Sequence, residues 1–182
     1  MNYKRSAQSR IKLARFARLE RLADKYDKRI KHIKELVKKD DIYRKKCEEY
    51  GDDVDFIDDV NISFGPIDVS AKTINGEIIL NERLYNEDII KQVFYALHEL
   101  NHVQQQSHNL VHGKTDKADY LDDENEQEAF GTQISYMCEH MTAEEVQDYI
   151  EHLLDHHDIN GEERKEKAKK IVDEMVDTDE DE

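Results

Sequence analysis

The chain has 182 residues, room for one domain with appendages, and 38% of them are charged while tryptophan is absent, so any core is modest. Its two cysteines, Cys47 and Cys138, lie far apart with no C-x-x-C, which argues against a disulfide framework and a cysteine zinc site. No run approaches the roughly 18 apolar residues of a membrane span, and the N-terminal segment lacks the apolar stretch of a signal peptide. A soluble protein of a reducing cytosol is expected, bacterial or phage-encoded.

The net charge of −16 is unevenly divided. Residues 1–50 carry 17 Lys+Arg against 8 Asp+Glu, a net of +9, and the remainder 10 against 35, a net of −25. Such a split suggests a basic arm for an acidic partner, or an arm folded onto its own acidic body. The arm has no glycine or proline before Gly51. Phe16, Leu19, Ala23, Tyr26, Ile30, Ile33 and Val37 alternate in steps of three and four, an a/d pattern over three heptads. One or two long helices are predicted, with a break near Asp40-Asp41, packing on the body, on a second copy or on another partner. Nucleic acid is an improbable partner. Few aromatics are interleaved for base stacking, and the acidic body repels phosphates.

Beyond Gly51 the pattern changes. Val54-Asp55-Phe56-Ile57 and Val60-Asn61-Ile62-Ser63-Phe64 alternate as short strands that end at Gly65-Pro66. Val69 to Ile74, Asn75-Gly76 and Glu77 to Leu80 read as a hairpin on a type I′ turn. A small antiparallel sheet is expected to lead, through 81–85, into a helix capped by Asn86.

That helix contains Leu97-His98-Glu99-Leu100-Asn101-His102, an H-E-x-x-H. At helical pitch His98 and His102 lie about 40° apart and roughly 6 Å along the axis. Two imidazole nitrogens can thus meet one zinc ion. Glu99, about 100° round, is placed to polarise water rather than to bind metal. Ile90, Val93, Leu97 and Leu100 form the adjoining apolar stripe for the core.

A catalytic zinc takes three protein ligands. Downstream, Asp123 and Glu126 read as a capping box opening a helix whose buried stripe is Phe130, Ile134, Met137 and Met141. On it Glu128 is the first choice for third ligand, with Ala129 permitting close approach. Glu124, a turn earlier, is the second, and Glu126 is read as facing away. His108 is the third candidate, but Gln105 stands where a glycine would turn the chain back. On a continuing helix His108 lies about 15 Å along and 80° off the face.

Thr142 with Glu145 forms another capping box, opening a helix to about His157. Its pair His152 and His156 lacks an acidic neighbour where a catalytic glutamate would stand and reads as surface histidines. Asn160-Gly161 turns the chain into a charged helix, Glu162 to Val176, and residues 177–182 form an acidic tail predicted to be disordered.

The order "EIILN", "FYALHELNHVQQ" and "NEQEAFG" resembles a small gluzincin-type zinc metallopeptidase. It is similar to thermolysin-like enzymes and to compact ImmA/IrrE-type or phage-encoded zincins over roughly residues 76–140. The resemblance implies zinc held by His98, His102 and Glu128, with Glu99 as general base. It departs where thermolysin-like enzymes place an aspartate four residues after the ligand glutamate, since Thr132 stands there. Tyr120, Tyr136 and His112 are candidates to stabilise an oxyanion. The sequence thus predicts an α+β, zincin-like domain over residues 51–160, a helical arm over 1–50 and a charged helix and tail over 161–182. A zinc-dependent protease is the expected function. The alternatives are a non-proteolytic zinc hydrolase and a non-catalytic interaction protein with a vestigial zinc site and a coiled-coil-like arm.

Overall fold

A computed structural model describes residues 3–110 and 117–176. The fold is α+β, with helices α1 Tyr3–Val37, α2 Asp41–Tyr50, α3 Phe56–Asp59, α4 Ile89–Ser107, α5 Glu124–His140, α6 Ala143–His156 and α7 Gly161–Val176. Its strands are β1 Ile62–Gly65, β2 Ala71–Ile74 and β3 Glu77–Asn81. Helix α4 is central: α5 lies along one side, and β2, β3 and α1 pack elsewhere on it. Twelve of its nineteen residues are buried, which is why its sequence is apolar on more than one face.

Asp40 breaks the N-terminal helix as expected. Its side chain accepts from the N–H groups of Ile42 and Tyr43, capping α2, and Gly51 at φ +74° closes that helix. From Tyr26 onward, however, this N-terminal segment packs into the body. Ile33, Val37, Tyr43 and Cys47 are fully buried in the same core as α4 and α5. Tyr26 packs against Phe64 and Tyr85, with ring centroids 5.1 and 5.0 Å away. Lys38 binds Asp55 and Asp58, so basic residues do fold onto the acidic body. Earlier in α1 the apolar stripe emerges into solvent, leaving Leu19 55% and Leu22 40% exposed.

The Asn75-Gly76 hairpin forms with both residues at positive φ, 52° and 78°, as a type I′ turn requires. The sheet is mixed rather than antiparallel, in the order β1-β3-β2, with β1 parallel to β3. Asn81 supplies the reason. Its Nδ2 donates to the carbonyls of Ile67 and Val69, holding the 66–70 connection across the end of β3. β1 and β2 are thereby separated onto opposite sides of β3. The predicted strand at 54–57 is instead the short helix α3, with Ile57 alone driven into the core. Asn86 does not cap α4. Residues 82–86 form a 3-10 turn capped by Asn81, and Asp88 caps the helix through Ile90 N–H.

Of the later elements, α6 carries the Thr142–Glu145 capping box in full. Residues 177–182, read as an acidic tail, lie outside the described residues.

Candidate metal centre

His98 and His102 fall one turn apart on the side of α4 that meets α5, and their Nε2 atoms are 3.2 Å apart. The third group is Glu126, whose Oε2 lies 3.5 Å from His98 Nε2 and 3.3 Å from His102 Nε2. Donor atoms bound tetrahedrally at about 2.0–2.1 Å stand roughly 3.3–3.4 Å from one another. The triangle matches that spacing on every edge. Glu126 Oε2 is buried yet has no hydrogen-bond partner among the described residues, although two nitrogens are this near. The two Nε2 atoms are within hydrogen-bond distance of each other, the three donor atoms lie close enough together to hold one metal ion, and two imidazoles with a carboxylate fit zinc.

Burial alone would lower the pKa of His102, but the Glu126 carboxylate beside it outweighs that and pushes it up to about 9. Burial likewise opposes the charge of Glu126, yet His102 and His98 hold its carboxyl far below the usual range. A metal entering here displaces a proton.

Glu128, the expected ligand, is turned away from the histidines. Its carboxylate accepts from Tyr50 Oη at 2.7 Å, Gln105 Nε2 at 2.9 Å and Lys46 Nζ at 3.1 Å. Helix α5 is rotated so that Ala129, Thr132, Gln133 and Tyr136 are buried with Ile134 and Met137. On that phase Glu126 points inward and Glu128 sits at the edge facing α2. The expected capping box is also corrected. Asp123 does cap α5, through Asn125 N–H, but the Glu126 side chain faces the histidines. Glu124 is exposed. α4 runs on through Ser107, and His108 is paired with Asp52 Oδ1 at 2.9 Å, so it is no ligand.

Glu99 is 6% exposed. Its Oε2 accepts from the hydroxyl of Thr73 on edge strand β2 at 2.8 Å, and that hydroxyl is 3.0 Å from the carbonyl oxygen of Glu99 itself. Thr73, which sequence reasoning missed, fixes the carboxylate. Phe130 packs its ring 4.6 Å from that of His98. Of the oxyanion candidates, Tyr120 is at the site. Burial and then the nearby Glu126 raise its phenol above the ordinary tyrosine range. Tyr136 lies near the other end of α5 against His140, and His112 is outside the described residues. His152 and His156 are exposed on α6.

No family model, curated protein or solved structure matches the chain.

Proposed function

We propose that the chain is a zinc-dependent hydrolase of zincin-like plan that cleaves peptide bonds. The observation that carries this reading is the triangle of His98 Nε2, His102 Nε2 and Glu126 Oε2, with edges of 3.2, 3.3 and 3.5 Å. His98, His102 and Glu126 would hold the zinc, which would supply a Lewis acid able to make water nucleophilic near neutral pH. Glu99 then has a defined task. Thr73 holds its Oε2, so Oε1 is the oxygen that takes a proton from the attacking water. The same carboxyl returns the proton to the amine as the C–N bond breaks. Tyr120, whose phenol interacts with Glu126, is the candidate donor to the developing oxyanion.

Two unpaired cysteines, one of them buried, support a cytosolic setting. Among the described residues no helix is long and apolar enough to cross a membrane. The basic, solvent-exposed part of α1 is the segment available to a partner.

The test is elemental analysis of protein purified without a histidine tag, with a peptide-library cleavage screen beside it. One zinc per chain and cleavage abolished by chelation are expected. Metal-free protein of undiminished stability would overturn the reading.

A further inference from the structure

Gln105 is 1% exposed and stands between the metal centre and Glu128. Its Nε2 donates to the carbonyl of Asn125 at 3.0 Å and to Glu128 Oε2 at 2.9 Å. Both partners can only accept, so the amide has one orientation, with Oε1 facing His102 Nδ1 at 2.8 Å. An acceptor there requires hydrogen on Nδ1, and the lone pair of His102 is then on Nε2, inside the triangle. We infer that Gln105, anchored by Glu128, is a positioning residue that fixes His102 as the Nδ1–H tautomer and aims its Nε2 at the metal. This rests on the zinc site proposed above.

The anchor reaches into α2. Tyr50 and Lys46 bind the two carboxylate oxygens of Glu128, so each of the Gln105 donors has a fixed acceptor. Lys46 also binds Glu49, and Asn101 Nδ2 donates to the Glu128 carbonyl and to Thr132 Oγ1, which tightens α5 onto α4. Among the described residues His98 has no counterpart: its Nδ1 is buried and finds no hydrogen-bond partner there. The chain therefore preorganises one of the two imidazoles.

Outer partners of a ligating histidine are worth about 10–100-fold in metal affinity. Zinc affinity would be measured by competition with a chelator on the full chain and on Gln105→Leu, Glu128→Ala and Glu128→Gln, each checked for helix content by circular dichroism. Gln105→Leu is expected to fall within that range at unchanged stoichiometry. Glu128→Ala should weaken binding less, and Glu128→Gln, which keeps an acceptor for Gln105, should return to within about threefold of wild type. Nitrogen-15 spectra of the histidines read the tautomer directly, in zinc-loaded wild type and in the metal-free chain above the pH at which His102 gives up its second proton. Nδ1–H on His102 in both supports the inference. Hydrogen on Nε2, or zinc on Nδ1, overturns it, as does wild-type affinity in folded Gln105→Leu. If Gln105→Leu fails to fold, the wild-type spectrum and the Glu128 pair decide. A wild-type chain that takes no zinc sinks the proposed function, while the metal-free spectrum still tests Gln105.

Discussion

Replacing Glu126 by glutamine tests the metal centre most sharply. The change removes the one anionic donor of the triangle and keeps the side chain's length, so α5 should still pack on α4. Structural zinc sites are worth about 10–16 kcal/mol over four ligands, or about 2.5–4 kcal/mol for each. A neutral amide oxygen recovers a small part of that, which leaves a loss of about 3 kcal/mol, or about two orders of magnitude in zinc affinity. Glutamine at 128 alters no atom beside the histidines, because that carboxylate is bound to Lys46, Tyr50 and Gln105. Titration against a chelating indicator of known affinity measures both variants on one scale. Wild-type affinity in Glu126→Gln, or loss of metal in Glu128→Gln with Glu126 intact, would refute the assignment of Glu126 as ligand.

Glu99→Gln should keep zinc and lower hydrolysis by about 10²–10⁴-fold, since the side chain binds no metal in this arrangement; unchanged cleavage in the library assay would remove its role as base. Ile33→Ala should cost about 2–5 kcal/mol in urea unfolding because Ile33 is fully buried. Leu19→Ala, on the exposed part of the same helix, should stay within about 0.5 kcal/mol, and equal costs would mean that α1 is packed along its whole length. Thr142→Ala should destabilise the fold at pH 7, and less so at about pH 3. The Glu145 carboxyl, hydrogen-bonded by the backbone and side chain of Thr142, sits below its ordinary value. Its contribution is present above the unfolded pKa and is lost as the pH falls through the folded one. An effect independent of pH would show that the box does not depend on the charge of Glu145.

Local rules made much of the fold legible. Asn75-Gly76, Thr142 with Glu145, Asp40 and the H-E-x-x-H spacing each act through bonds within a few residues, and each stands where the sequence places it. What failed depended on distant partners. The mixed sheet follows from Asn81 gripping the 66–70 connection, which no alternation of apolar residues encodes. Glu126, which the structure sets beside the histidines in place of Glu128, has a signal in the sequence. At about 100° per residue, Glu126 lies about 50° from the centre of the Phe130-Ile134-Met137-Met141 stripe, and Glu128 about 150° away. The likeness of Glu128-Ala129-Phe130 to a ligand motif points to Glu128, whereas the phase of the helix points to Glu126. Lys46 and Tyr50, which claim Glu128, lie some eighty positions away in the chain, beyond any spacing rule.

The histidines belong to α4 and the glutamate to α5, and those two helices form the largest contact between elements of the fold. Under the proposed function an ion at their meeting point is a removable cross-link, and the stability of the whole chain becomes linked to the free concentration of that ion. Zinc at a hundred times its dissociation constant adds about 2.7 kcal/mol. For a chain of this size that raises the melting temperature by roughly 5–10 °C. When zinc is scarce the same polypeptide opens more often at α5 and is more readily degraded. Its abundance then follows the metal supply together with its activity.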